Sequence, residues 1–289
     1  MTEPSTAPGA WSVRPVPPPR RSITALVLGG VLDARLAATL WLLIERRVPL
    51  IVASAEVGAE ASTVLEALLG FLSSDVVRRD LAGSDETFEW LPQASELGWP
   101  GMPSVGHGAP LRPETTTLVA AALSDHLPAY TWGERARIAA RATAIGYGLA
   151  ASMEGDSLDD VLEALGRAPV SLNADELSYL GCVLILRRVE GGRHRVVAAH
   201  YLRPFVRDTH GHTQRLGPAV LATWDADRDA FEDFGWGITP ELAFRVGARP
   251  GDFEAEVDRR ADLLTHLAAT GVTEIEAVQA AVRLDRAAR

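Results

Sequence analysis

The sequence predicts an α/β fold in which buried strands alternate with amphipathic helices. The apolar run 50–53 has the length of a buried strand, and the stretches 32–45 and 64–72 on either side of it carry apolar residues at helical spacing. Further along, the strand-like runs within 181–201 flank Gly191-Gly192, a pair typical of a tight hairpin turn. Such alternation is the pattern of a sheet that is covered by helices.

The length of 289 residues corresponds to about two domains of ordinary size. Residues 1–20 are rich in proline and predict a disordered arm. Residues 21–205 then form the α/β domain. Residues 206–289 contain the amphipathic patterns 254–267 and 274–284, so they predict a mostly helical C-terminal subdomain.

Charge and composition exclude several kinds of chemistry. The chain contains no lysine, so its 28 basic residues are all arginine, and 38 acidic residues leave a net charge of −10. Without lysine there is no Schiff-base or lysine-base catalysis and no lysine to bind a nucleotide phosphate. The negative balance argues against nucleic acid or anionic lipid as a general partner.

Two further features predict the cellular setting. Cys182 is the single cysteine and lies in an apolar run, so we interpret it as a core residue and not as a disulfide or metal ligand. The N-terminal residues lack the basic-then-apolar order of a secretory signal, and no apolar stretch reaches the ~18 residues of a membrane span. The sequence therefore predicts a cytoplasmic protein without direct membrane insertion.

A segment of small residues, 54–61, separates the predicted strand 50–53 from the helix that follows it. A strand, a tight loop and a helix in this order form the geometry of a phosphate-binding loop. The loop amides and the helix N-terminus then converge on one anion-sized position. This segment is therefore the first candidate for a binding site.

Two stretches around this loop resemble a known family. Residues 32–42 resemble the helix before the phosphate-binding loop of the type II and type IV secretion and pilus-assembly ATPases, and residues 62–72 resemble the helix after it. Archaeal and tight-adherence-type members are the most similar, and the likeness extends from residue 22 to the C-terminus. The resemblance implies a RecA-like P-loop NTPase core with a mainly helical C-terminal subdomain, in a member that lacks the family's N-terminal domain.

The family's Walker A pattern, GxxxxGK[ST], falls on positions that this chain has changed. Its two glycines fall on Ala55 and Glu60, and its lysine falls on Ala61. A carboxylate at Glu60 would repel a triphosphate by about 3–4 kcal/mol at an effective dielectric constant of about 20. The resemblance assigns nucleotide binding to the residues that still suit phosphate and Mg²⁺, which are Gly58, Ser62 and Thr63.

Two acidic motifs of the family are kept. Asp85, Glu86 and Glu89 resemble its Asp box, and Glu134 resembles the acidic residue of its Walker B motif, at the end of a predicted short strand 130–132. In an active member, a carboxylate at Glu134 would hold Mg²⁺ or orient the attacking water. The resemblance thus makes Glu134 the candidate catalytic residue.

The two histidines of the family's His box are replaced here by Tyr147 and Glu154. A histidine near the γ-phosphate donates a hydrogen bond, whereas an ionised glutamate has no proton to donate. Together with the changed Walker A positions, these replacements predict a degenerate ATPase in which Glu134 is vestigial.

The resemblance therefore implies a pseudo-ATPase with a structural or regulatory role in a cytoplasmic secretion or pilus motor. The expected partners are further copies of the chain or an active ATPase of the same kind. A membrane platform protein of the machine would hold it at the inner face of the membrane. No cofactor or metal ion is expected. The alternative is a working or nucleotide-binding secretion ATPase with a non-standard P-loop, which would bind ATP and Mg²⁺, and a free-standing binding module is the third interpretation.

Overall fold

A computed structural model describes residues 20–55, 59–101, 110–207 and 212–288 of the chain. The strands in these ranges are β1 (Leu50–Ser54), β2 (Val77–Asp80), β3 (Thr116–Leu123), β4 (Gly148–Glu154), β5 (Cys182–Arg188), β6 (His194–Tyr201), β7 (Val206–Arg207), β8 (Thr213–Gln214), β9 (Ala219–Asp225) and β10 (Ala230–Asp233). All except β7 and β8, which pair with each other, join one mixed sheet in the order β10-β9-β6-β5-β1-β4-β3-β2. The strands from β5 to β2 in this order are parallel, and β6, β9 and β10 extend the sheet by antiparallel pairs.

Helices cover both faces of this sheet. Those in the described ranges are α1 (Ile23–Leu28), α2 (Ala34–Glu45), α3 (Ala59–Leu69), α4 (Glu134–Ala142), α5 (Leu158–Gly166), α6 (Ala174–Ser178), α7 (Thr239–Val246), α8 (Pro250–Ala269) and α9 (Ile275–Ala287). The first three and the last three pack in one hydrophobic core, which we call the first core, whereas α4, α5 and α6 pack in the second core. No helix in the described ranges has both the length and the apolar character that a membrane crossing requires.

β1 lies at the centre of the fold, and its residues divide between the two cores. Leu50 and Val52 belong to the first core, and Ile51 and Ala53 belong to the second. Successive side chains of a strand point to opposite faces, so a strand that is covered on both faces is apolar throughout. The prediction of a buried strand at 50–53 is confirmed.

The predicted hairpin is confirmed as β5 and β6, which pair antiparallel with Cys182 opposite Tyr201. Gly191 and Gly192 in the turn have φ angles of 77° and 74°, a region that favours glycine because it has no Cβ. Burial raises the pKa of the Cys182 thiol to about 12. The thiol is therefore protonated at neutral pH and acts as a packing group, as the sequence predicts.

The C-terminal residues contain more than the predicted helices. The patterns 254–267 and 274–284 are confirmed as parts of α8 and α9, and Gly271 between the helices has a positive φ of 74°. From the same stretch, however, β9 and β10 join the main sheet, and α7, α8 and α9 pack in the first core. Residues 212–288 thus contribute to the same sheet and core as the rest of the chain. The domain boundary after residue 205 stays a prediction.

A half-buried carboxylate on α2 binds both long C-terminal helices. Glu45 accepts hydrogen bonds from Trp41 Nε1 at 2.7 Å, from Arg260 Nη2 at 2.6 Å and from Arg286 Nε at 2.6 Å. The guanidinium carbon of Arg260, which is fully buried, lies 4.4 Å from the centre of the Trp41 ring. Burial by itself would raise the pKa of Glu45, but the hydrogen bond from Arg286 and the charge of Arg260 outweigh it and lower the pKa below its ordinary value. The fold therefore stabilises the ionised carboxylate.

Replacement of Glu45 by alanine should destabilise the protein strongly. Two arginines, one of them fully buried, would lose the carboxylate that neutralises them, and breaking a buried ion pair costs about 3–5 kcal/mol. The measurement is the free energy of unfolding in urea. The control is Glu276→Ala, because Glu276 is an exposed glutamate on α9. It lies in the first turn of the helix, so its loss should change this free energy by no more than about 1 kcal/mol. Equal effects of the two substitutions would contradict the role of Glu45.

The lowered pKa of Glu45 also predicts how the free energy of unfolding changes with pH. A carboxyl group with a lower pKa in the folded state contributes stability that is complete above its unfolded pKa of about 4.3 and is lost as the pH falls through the folded value. We therefore expect the difference in unfolding free energy between the wild type and Glu45→Gln to shrink below about pH 4.3. Urea titrations at a series of acidic pH values measure this difference. A difference between the two proteins that increases as the pH falls would contradict the lowered pKa of Glu45.

Candidate functional site

The candidate site lies at the carboxyl ends of β1 and β4. These neighbouring parallel strands end at Ser54 and Glu154, which face each other in the register, and the amide of Gly155 donates to the Ser54 carbonyl at 2.9 Å. The helix that follows β1 is α3 and the helix that follows β4 is α5, and the two pack in opposite cores. A crevice opens where neighbouring strands send their connections to opposite faces, and ligands of open α/β sheets bind in such a crevice.

The predicted Walker A residues belong to the β1 side of this crevice. Gly58 lies outside the described residues. Ala55 is exposed directly after β1, Ser62 is half-buried in the first turn of α3, and Thr63 is buried. Of the two hydroxyl residues that the resemblance assigns to nucleotide binding, Ser62 is therefore the one with accessible surface.

The positions assigned to the second glycine and the lysine have other contacts. Ala61 is 1% exposed and packs in the first core. Glu60 Oε2 lies 4.0 Å from His194 Nδ1 at the start of β6. The start of α3 thus has a carboxylate where the family pattern has a glycine, and this carboxylate lies beside β6. It has a buried methyl group where the pattern has a cation.

The β4 side of the crevice carries further carboxylates. Glu154 Oε1 lies 3.1 Å from Nδ1 of His126, which follows β3. Arg187 near the end of β5 donates from Nη2 to the Asp156 carbonyl at 2.6 Å, and its Nε lies 3.9 Å from Asp156 Oδ1. Arg187 is thus held by Asp156, so part of its positive charge is already neutralised.

The balance of charge at these strand ends is negative. The described carboxylates that follow β1, β3 and β4 outnumber the arginines that end β5: they are Glu60, Asp125, Glu154 and Asp156, against Arg187 and Arg188. In the described ranges no group of three or more His, Cys, Asp or Glu side chains is placed to hold a metal ion. Because catalysis on phosphates depends on positive charge around the transferred group, this arrangement is unfavourable for it.

Glu86, a predicted Asp-box residue, has a structural role. Its side chain is 1% exposed. Its carboxylate accepts hydrogen bonds at 2.9–3.1 Å from three groups of its own loop: the amides of Ala82 and Phe88 and the indole of Trp90. β3 and β4 separate β2, which precedes this loop, from β1, a distance of about 14 Å at the usual strand spacing. The other two residues of the motif, Asp85 and Glu89, are exposed on the same loop.

The short strand predicted at 130–132 is wrong. These residues are irregular, and Thr131 donates its amide to Ala122 of β3 at 2.9 Å. Glu134 is the first residue of α4 and lies 3.5 Å from Arg137 on the same helix. An acidic residue in the first turn is favoured by the helix dipole, which explains the local sequence without a strand. The catalytic role of Glu134 stays a prediction.

The acidic residue that follows a buried strand in this region is Asp125. It comes two residues after β3, and β3 pairs with β4. The next residue, His126, contacts Glu154, so the loop after β3 reaches the crevice. A signal was present in the sequence, because the mostly apolar run 116–123 predicts a buried strand more strongly than the aromatic residues at 130–132 do.

Comparison with known proteins gives distant similarity in structure alone. No family model matches the chain, and no curated protein matches it. Among solved structures, the chain is similar to the VirB11 ATPase from the Brucella suis type IV secretion system in complex with sulphate, with a TM-score of 0.37 and 18% sequence identity. The match covers 58% of this chain and 52% of that chain, so it spans about half of the VirB11 structure.

Glu86→Ala should lower the free energy of unfolding, because three donors in its loop would lose their buried acceptor. Each unsatisfied buried donor costs about 1–3 kcal/mol. Glu89→Ala is the control on the same loop: Glu89 is exposed, and the substitution should stay within about 0.5 kcal/mol. Thermal or urea unfolding measures both variants. A Glu86→Ala protein as stable as Glu89→Ala would rule out the structural role and make Glu86 a site candidate again.

Proposed function

We propose that this protein is a RecA-like relative of the type II and type IV secretion and pilus-assembly ATPases that has lost nucleotide turnover. It serves as a structural or regulatory subunit of a secretion or pilus motor, bound to further copies of itself or to an active ATPase. The observation that carries the proposal is the change at Glu60 and Ala61, which replaces the glycine and the cation of a phosphate-binding loop by a carboxylate and a methyl group.

The fold supports the RecA-like part of the proposal. The parallel strands follow the order β5-β1-β4-β3-β2, with the candidate loop directly after the central strand β1, as we expect for a RecA-like core. The helices before and after β1 are α2 and α3, which contain most of the two stretches with the strongest family resemblance, and both pack in the first core. Because one fold hosts many functions, the loss of turnover is argued from the site.

The charges of the crevice support the loss of turnover. A triphosphate at the start of α3 would lie within several ångströms of Glu60, and each such repulsion amounts to about 3–4 kcal/mol at an effective dielectric constant of about 20. The amides at a helix N-terminus return about 0.3–1 kcal/mol for an exposed anion, which does not offset it. The chain has no lysine to supply the missing charge.

Nucleotide binding by a non-standard loop is the second candidate, and Arg188 favours it. This arginine is exposed at the end of β5, the direct neighbour of β1, and forms no ion pair with a described carboxylate. An arginine binds phosphate oxygens in a bidentate manner, so Arg188 would supply part of the charge that the loop lacks. Ser62, which is half-buried at the start of α3, would then complete the contact.

Titration calorimetry with ATP and Mg²⁺, together with an assay of phosphate release, tests the proposal. We expect neither binding heat in the micromolar range nor phosphate release by the wild type. Glu60→Gln removes the negative charge and keeps the size of the side chain, so binding that emerges in this variant would support the electrostatic reason. Glu276→Gln is the matched control, because it removes an equal charge from an exposed position on α9.

Two other results would contradict the proposed loss of nucleotide turnover and binding. Micromolar binding of ATP by the wild type that is lost in Arg188→Gln would establish the second candidate in place of the first. Phosphate release that depends on Mg²⁺ and disappears in Glu134→Gln would show a working ATPase and overturn the proposal.

A further inference from the structure

A stripe of exposed apolar side chains runs along α7 and the 3-10 helix Gly235–Ile238 before it. Phe244 is 87% exposed and Trp236 is 70% exposed, and Pro240 and Ala248 are exposed as well. Pro240 and Phe244 lie one turn apart on one face of α7. Trp236 comes four residues earlier, in the 3-10 helix, and Ala248 follows the left-handed Gly247 that ends α7. We call these four residues the α7 stripe. Exposed aromatic surface of this kind marks an interaction site.

The opposite face of α7 is docked firmly. Leu242, Ala243 and Val246 are buried and belong to the first core. α7 ends at Gly247, which has a positive φ of 72°, a conformation that favours glycine at a helix end. The helix is therefore held in one orientation, and the α7 stripe faces away from the protein on a fixed element.

The α7 stripe is complementary to itself in size. When two α7 helices lie antiparallel about a two-fold axis at the middle of the helix, Phe244 of one copy faces Pro240 of the other. In this pair a large side chain meets a small one, and the contact occurs twice, which is the condition for a two-fold interface between identical chains.

The charges beside the α7 stripe match the same arrangement. Glu241 and Arg245 each lie one position after a stripe residue, so they form a parallel row with the acid toward the N-terminal end of the helix. In the antiparallel pairing Glu241 of one copy faces Arg245 of the other. Arg245 forms no ion pair with a described carboxylate, and Glu241 Oε1 lies 3.5 Å from Arg203 of its own chain.

The mixed charges favour a second copy over other occupants. An anionic lipid surface would attract Arg245 but repel Glu241, whereas a second copy offers an opposite charge to each. The area is consistent with a weak dimer. Each aromatic side chain buries about 150–250 Å², so four of them in the dimer bury roughly 600–1,000 Å². This area reaches the lower limit of about 1,000 Å² for a specific interface only at its upper end.

We propose that this chain forms a two-fold dimer through the α7 stripe. This dimer would be the self-association that the proposed function includes, and to that extent it rests on the proposed function. It does not involve the crevice between β1 and β4, so the nucleotide experiments and the dimer experiments give independent results.

Sedimentation or light scattering from micromolar to millimolar concentration measures the dimer. We expect a mass that rises with concentration, and Phe244→Ala should raise the dimer dissociation constant at least about tenfold, as the loss of a central aromatic residue does. Leu284→Ala is the control: Leu284 is 72% exposed on α9 and lies outside the stripe, so the constant should not change. A dimer dissociation constant that is unchanged by Phe244→Ala would overturn the inference. So would a wild type that stays monomeric at every concentration. A monomer would also confine the proposed function to assembly with other proteins.

A mixing experiment tests how the two helices are aligned. It also distinguishes the loss of the dimer by charge repulsion from a loss by misfolding. Glu241→Arg alone and Arg245→Glu alone each bring like charges together in the homodimer, so each purified variant should be monomeric. When the two variants are mixed, every charge of one copy faces an opposite charge of the other, and dimers should form again. Thermal unfolding checks that both variants are folded. A mixture that stays monomeric would show that the two helices do not pair in this way.

Discussion

The ionised carboxylate of Glu45 is the interaction on which the first core depends. It joins α2 to α8 through Arg260 and to α9 through Arg286. Arg286 also donates to the carbonyl of Phe71, whose ring stacks on Trp41 with centroids 4.8 Å apart. The end of α2, the residues after α3 and the two C-terminal helices thus meet around one half-buried carboxylate. Such a group is stabilising only while all its partners are present, because an unpaired buried charge is strongly unfavourable.

This arrangement positions both proposed functional surfaces. α3 begins at the crevice, and the residues after its last turn are held by Arg286, so the C-terminal part of the chain fixes the helix that follows the candidate loop. α8 packs against α2 and also against α7, which carries the α7 stripe. The structural role that we propose would depend on a rigid first core, because contacts are transmitted through packed elements.

The helices and strands with a clear local pattern of apolar residues were predictable from the sequence. The strands at the antiparallel edge of the sheet were not. β1, α2, α3, the β5–β6 hairpin and the two long C-terminal helices all carry local patterns of apolar residues or turn glycines. β9 and β10 were missed, because the short strands of an antiparallel edge have little pattern of their own and acquire it by pairing with β6.

The candidate site was harder to predict, because the role of each side chain depends on its burial and on its contacts with residues distant in sequence. Glu86 matches an acidic motif in the sequence, yet its carboxylate is buried and bound to its own loop. His126 lies far from Glu154 in sequence and beside it in space. Aromatic residues such as Phe244 look like core residues in a sequence, and their exposure is visible only once the buried face of α7 is known.

The division of β1 between two cores limits how this chain can change over time. An insertion or deletion of one residue between 50 and 54 would turn every side chain of the strand to the other side of the sheet, so both cores would lose their fit at once. Exchange of one side chain for another carries no such penalty. A chain under this restriction exchanges single side chains while the geometry of its central strand is preserved.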